Sequence, residues 1–206
     1  MTWKQIKDAK LERLLPISTQ DGEDDDPTPT TGPTEGPVVV VDSREQRPWK
    51  IEAFRVVIKK LDFADYSLLG FERRFAVERK SLADLIQSLT HERTRFHKEL
   101  EALSRCSFAA IFIEAERATV ESGAFRGAVS PKAILSSLDA ISIRLGVHVV
   151  WCGSHAEAGR RFEGMARLFI HGVEKDARTL GLIPKKKRAT GRKAARTDPD
   201  PTQETA

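Results

Sequence analysis

Four consecutive valines, Val38–Val41, run into Asp42 directly after an acidic, proline-rich stretch, and they fix the kind of structure that can follow. β-Branched residues in an unbroken apolar run read as a buried strand. Phe54–Leu61 and Phe108–Glu114 have the same character. Tyr66–Leu69 and Arg74–Glu78 flank Gly70-Phe71-Glu72-Arg73 and read as the arms of a hairpin. A long helix is expected from an N-cap at Ser81, with Leu82, Leu85, Ile86, Leu89, Phe96, Leu100 and Leu103 as its inward stripe. A second helix should open at Ser130-Pro131 and end at Gly146, followed by a strand at Val147–Trp151 and a last helix from about Ser154 to Thr179. This succession predicts an α/β domain with a central mixed β-sheet flanked by helices.

The predicted domain covers residues 37–182. Residues 1–36 precede it: Trp3, Ile6, Leu11, Leu14 and Leu15 have the spacing of one amphipathic helix, and Asp21–Pro33 is too acidic and too rich in Pro, Thr and Gly to bury apolar area, so it reads as a disordered linker. Residues 183–206 read as a basic disordered tail. The overall charge of +4 is unevenly spread, since residues 1–36 carry 4 basic and 8 acidic side chains. A basic domain and tail favour a polyanionic partner. The apolar runs are too short to cross a membrane, and the first residues lack the apolar core of a secretion signal. Cys106 and Cys152 and the five histidines show no metal-ligand spacing. The expectation is an intracellular protein, cytoplasmic or nucleoid-associated rather than nuclear.

Chemistry concentrates in Glu78-Arg79-Lys80. Two positions apart on a strand, Glu78 and Lys80 project from one face. A hairpin turning through Gly70–Arg73 pairs positions whose numbers sum to about 143, a relation that Asp65 and Glu78 satisfy. Cross-strand neighbours have Cβ atoms roughly 5 Å apart, close enough for two carboxylates to share a cation. Asp42, at the end of the valine strand, and Glu45 add further acids. A Mg²⁺ held by carboxylates can orient water, lower its pKa and polarise a phosphate, and an adjacent lysine can position water or hold the phosphate. Arg79 alternates to the other strand face; if the strand ends there, it reaches either a phosphate or a structural carboxylate.

Together, Asp42-Ser43-Arg44-Glu45, then Asp65-Tyr66, then Glu78-Arg79-Lys80 with Asp84 four residues beyond, resemble the nuclease domain of the XPF-type structure-specific endonucleases. The resemblance covers about residues 37–175 and implies a restriction-endonuclease-like fold, DNA as partner and Mg²⁺ or Mn²⁺ as cofactor. Carried over, Asp65, Glu78 and Asp42 are implied metal ligands, Lys80 the catalytic lysine, and Glu45 a further acidic member. Arg79 is implied beside the scissile phosphate and Arg93 near the mouth of the site. Ala64 stands where the family pattern has glycine. No tandem helix-hairpin-helix segment follows, so the chain resembles the compact form, with a homodimer through the nuclease domain as its expected assembly.

Other readings stand beside these. Ser81 and Asp84 form a capping box, which accounts for both without catalysis. Glu45 pairs equally well with Arg44 or Arg47. Glu114 ends a strand and could face the same cleft, but such a residue reads more readily as a helix-cap or surface acid. Arg93, Arg95 and Lys98 form a DNA-facing stripe unless Glu92 and Glu99 engage them along the helix. Lys185, Lys186, Lys187 and Arg188 read as a DNA-contacting arm in preference to an import signal. The function expected is a divalent-metal-dependent DNA endonuclease acting on branched, flapped or junction DNA in repair or recombination. The alternative is a catalytically inactive DNA-binding or scaffold module.

Overall fold

Val38–Val41 are buried because the strand they form lies inside a sheet, with neighbours on both edges. In this computed structural model, residues 36–184 are described. The expected N-terminal helix, the acidic linker and nearly all of the basic tail lie outside the described residues. The elements are β1 (Val38–Asp42), β2 (Arg55–Lys59), β3 (Tyr66–Leu68), β4 (Phe75–Lys80), α1 (Leu82–Thr90), α2 (Arg93–Leu103), β5 (Phe108–Ile113), α3 (Arg117–Glu121), α4 (Pro131–Leu145), β6 (His148–Trp151) and α5 (His155–Thr179).

The strands form one mixed sheet in the order β2-β1-β3-β4-β5-β6. β1 is parallel to β2 and antiparallel to β3; β3 and β4 are the antiparallel hairpin; β4, β5 and β6 run parallel. On one face, Val39, Val41, Tyr66, Phe75, Val77 and Phe112 pack with Trp49 against Phe162, Ala166 and Ile170 of α5. On the other face, Ala76, Ile111 and Ile113 meet Leu85 of α1, Phe96 and Leu100 of α2, and Ile134 and Leu138 of α4. The expected α/β architecture is the one observed.

Local signals place the helix ends. Ser130 Oγ accepts from Ala133 N, Pro131 takes the first helical position and Gly146 closes α4 in the left-handed region at φ 66°. Ser154 caps α5 in the same way.

The single long helix expected after Ser81 is instead two. Thr90, His91 and Thr94 are weak helix formers in close succession. The Thr90 hydroxyl donates to Ile86 O, and Glu92 leaves the helical region at φ −107°, ψ 22°. Leu85 and Ile86 before the break and Phe96, Leu100 and Leu103 after it still enter one core, so the apolar stripe survives the interruption.

Candidate active site

Two-residue alternation along β4 sorts the Glu78-Arg79-Lys80 triplet. Phe75 and Val77 point into the α5-side core and Ala76 into the α1/α2-side core. Glu78 and Lys80 therefore share the Ala76 face, and Arg79 shares the face of Val77. The hairpin register pairs Tyr66 with Val77 and Ser67 with Ala76, as the turn at Gly70–Arg73 requires. One step further along this ladder sets Asp65 opposite Glu78. Asp65 N donates to Val77 O at 3.1 Å, and Asp65 Oδ2 accepts from Arg79 N at 2.7 Å.

Ala64, just before this aspartate, holds φ 63°, the one non-glycine residue with positive φ among the described residues. The left-handed turn thus persists without glycine. Such a conformation costs alanine roughly 1–2 kcal/mol, while its buried methyl recovers about 0.8 kcal/mol. Ala64→Gly should therefore stay within about 1 kcal/mol of wild type in urea denaturation. Ala64→Val, β-branched and far less tolerant of positive φ, should lose about 2 kcal/mol; a valine variant as stable as wild type would contradict this.

Asp65, Glu78 and Lys80 line a cleft of about 590 Å³ between the C-terminal end of β4 and helices α1 and α2. Lys80 Nζ lies 2.7 Å from Glu78 Oε1, 3.9 Å from Glu99 Oε2 and 5.2 Å from the centre of the Phe96 ring. Burial, then the neighbouring Glu78, pushes the Asp65 carboxyl up to about 8. Burial also raises Glu78, against the opposing pull of Lys80. For Lys80, burial alone would lower the ammonium, but Glu78, Glu99 and Asp65 outweigh it and keep the group protonated.

A carboxyl raised to about 8 keeps a proton in the folded protein that the unfolded chain releases near pH 4. Stability without metal therefore falls as pH rises from about 4 to about 8. Asp65→Asn should flatten that slope and exceed wild type at pH 8 by on the order of 2 kcal/mol. Urea titrations with chelator at pH 5 and pH 8 read this directly; parallel pH curves for the two proteins would contradict it.

Asp42, expected among the metal ligands, does not line the cleft and has both carboxylate oxygens engaged by protein donors. Its Oδ1 accepts from Arg44 N and Nε at 2.8 and 2.7 Å, and its Oδ2 accepts from Leu61 N and Arg44 Nη2 at 2.7 and 3.0 Å. These bonds outweigh burial and hold its carboxyl below the usual carboxylate range. Asp42 instead fixes Arg44 at the cleft rim.

Of the two alternatives for Arg79, the structural carboxylate is the one realised. Its Nε and Nη2 donate to Glu114 Oε1 and Oε2 at 2.8 and 2.9 Å, and Nη1 lies 3.6 Å from Glu45 Oε1. Glu114 also accepts from Trp49 Nε1 at 2.8 Å and pairs with His155 Nδ1 at 2.7 Å, so it is neither a helix cap nor a surface acid. Glu45 lines the cleft beside Asp65 and Glu78, with its Oε1 also accepting from Arg47 N.

The expected basic stripe on α2 divides. Arg95 and Lys98 face the cleft, whereas Arg93 lines a separate, largely apolar groove with Phe96, Leu100 and Arg144. Arg93, two residues before Arg95 on the same helix, faces the opposite side and so does not line the cleft. Asp84 sits at the cleft, bonded to Ser81 both through its backbone N–H and through its carboxylate, as a helix cap. Gln87, Glu92 and Glu99 also line the cleft and were not singled out as site residues from the sequence. Their signal is a polar stripe at helical spacing, Asp84, Gln87, Ser88, Glu92, Arg95 and Glu99, opposite the apolar one.

A model of the ERCC4 domain matches residues 41–164. Among solved structures, XPF from Aeropyrum pernix is similar at TM-score 0.52, with 21% identity over 69% of this chain and 69% of that one. XPF from the same organism in complex with DNA is similar at TM-score 0.52, with 22% identity over 66% of each chain. None of the curated proteins compared matches the chain. At these identities the structural likeness establishes the fold, a restriction-endonuclease-like α/β domain.

Proposed function

We propose that this chain, which belongs to the ERCC4-domain family and has its XPF-type nuclease fold, is a divalent-metal-dependent DNA endonuclease that hydrolyses phosphodiester bonds at branched or flapped DNA in repair or recombination. The observation that carries the reading is the pairing of a half-buried Asp65 with a buried Glu78, opposite one another by hairpin register at one cleft beside a protonated lysine. A protein gains no stability from such a pair, so its upkeep points to a ligand that needs it. DNA in the related Aeropyrum pernix structure supports the choice of substrate.

The donors suit a hard cation. The hydrogen bonds of Asp65 and Glu78 engage one oxygen of each, leaving the second without a partner among the described residues. No three Asp, Glu, His or Cys side chains among the described residues converge to cage an ion. Mg²⁺ characteristically takes one or two carboxylates and completes its shell with waters and substrate phosphate, and Mn²⁺ fits the same donor set. Asp65 and Glu78 would hold it, with Glu45 supplying nearby negative charge. When bound, the cation neutralises phosphate charge and lowers the pKa of water.

The chain's own residues supply the rest. Lys80 enters the reaction as an ammonium, so it donates hydrogen bonds to a phosphate oxygen or to the attacking water. Arg95 and Lys98, along the cleft face of α2, are placed to hold flanking phosphates, and Arg44 marks the rim. Arg79 works at one remove: its backbone N–H orients Asp65, and its side chain ties β4 to Glu114. Lys185–Arg188 would add sequence-independent phosphate contacts, and a homodimer through the nuclease domain belongs to the same proposal. Among the described residues no helix is long and apolar enough to cross a membrane.

The experiment is a cleavage panel with single-stranded, duplex, flap, fork and four-way-junction DNA in Mg²⁺, Mn²⁺ or chelator. Cleavage that requires the cation supports the reading. Binding without cutting on every substrate would favour a scaffold module instead.

A further inference from the structure

Beyond the residues of the sequence motif, one cleft acid on α2 has a geometry that its neighbours do not share. Glu99 Oε2 lies 3.9 Å from Lys80 Nζ, while Glu99 Oε1 accepts from Arg95 Nε at 3.0 Å. Arg95 is anchored in turn by Glu92, with Nη1 to Oε2 at 3.3 Å, and Glu92 accepts from Gln87 Nε2 at 2.6 Å. A polar relay thus runs across α2 and α1 and ends at the lysine. The two oxygens of Glu99 thus face Arg95 and Lys80.

An acid facing a DNA cleft is costly, since it repels the phosphates that the neighbouring Arg95 and Lys98 attract. Its placement is explained by what happens to Lys80 in the working site. Lys80 donates to Glu78 Oε1, and a cation on the other oxygen of that carboxylate would weaken the bond by drawing off its negative charge. With Glu78 sharing its charge with a cation, the Phe96 ring and Glu99 are the groups that would still hold the ammonium firmly. A mislaid catalytic group costs rate steeply, because the reacting geometry tolerates little displacement.

We propose that Glu99, braced by Arg95, is a positioning residue that keeps the Lys80 ammonium aimed at the scissile phosphate while Glu78 is engaged elsewhere. The inference rests on the nuclease reading above.

The test is Glu99→Gln, which retains the side chain's shape and an acceptor for Arg95 but removes its charge. Single-turnover cleavage at saturating protein gives the rate, and DNA affinity is measured separately in Ca²⁺. The expected result is a rate about 10-fold lower with DNA binding equal or tighter, since a repulsive charge is gone. Glu99→Asp, which restores the charge, should recover part of the rate. A surface acid with no positioning role predicts tighter binding and an unchanged rate, and that outcome overturns the proposal. Equal losses in both variants would also overturn it, by showing that charge is not what matters. Wild-type protein that cuts no DNA would end the nuclease reading itself; wild type and Glu99→Gln cutting equally fast would leave that reading standing and remove only the role of Glu99.

Discussion

Replacing Glu78 or Lys80 by alanine should slow DNA cleavage by about 10³-fold or more while leaving the protein folded. Both side chains are buried at one cleft, 2.7 Å apart, on the last turns of a strand whose own core contacts are made by Phe75, Ala76 and Val77. The fold is therefore anchored upstream of the chemistry, and truncation at either position removes function without opening the core. Glu78→Ala takes away half of the carboxylate pair; Lys80→Ala takes away the ammonium proposed to contact the phosphate. Because the two act as a unit, the double variant should lose little more than either single one. DNA affinity should change far less than rate, since Arg95, Lys98 and the tail supply most of the phosphate contacts in this account. Cleavage by either single variant within about 10-fold of wild type would contradict the assignment.

Glu114→Ala should destabilise the protein by about 3–5 kcal/mol, the cost of stranding one member of a buried ion pair. Glu114 and Arg79 are among the least exposed charged side chains, at 6% and 12%. Burial alone would raise the carboxyl, but the bonds from Arg79, Trp49 and His155 hold it below the usual range. A depressed carboxylate contributes stability above its unfolded pKa and loses it as pH falls through the folded value. The wild-type contribution is thus complete at neutral pH and fades in acid. Losing Glu114 also frees the indole of Trp49, which stacks on Tyr66 at 4.0 Å between ring centres and sits in the core against α5. Urea denaturation at pH 7 measures the loss, and a change under about 1 kcal/mol would show that Arg79 finds compensation in Glu45.

The contrast between these two variants follows what was legible in the sequence. The hairpin and its register could be read because a tight turn and strand alternation are local rules: the turn at Gly70–Arg73 determines that Asp65 meets Glu78. Ser130-Pro131 and Gly146 marked the ends of α4 for the same reason. The hub at Glu114 could not be read, since its partners Arg79, Trp49 and His155 come from three separate parts of the chain and nothing local pairs them. Asp42 misled because a strand-end acid looks alike whether it faces a cation or caps Leu61 and Arg44. Arg93 misled because it stands two residues before Arg95 on α2, about 200° around the helix, so the two cannot share the cleft face. Ala64 shows a third case, a backbone conformation retained without the residue type that normally signals it.

Asp65 and Glu78 are proposed to form a cation-dependent phosphodiesterase site. Single-turnover cleavage of end-labelled flap DNA tests it most directly, with wild type and Asp65→Asn run in Mg²⁺, then in excess chelator, then with Mg²⁺ restored. Wild type should cut, stop and resume, and Asp65→Asn should bind the same DNA and cut it in none of the three conditions. Wild-type cutting that continues in chelator, or Asp65→Asn cutting at the wild-type rate, would contradict the claim.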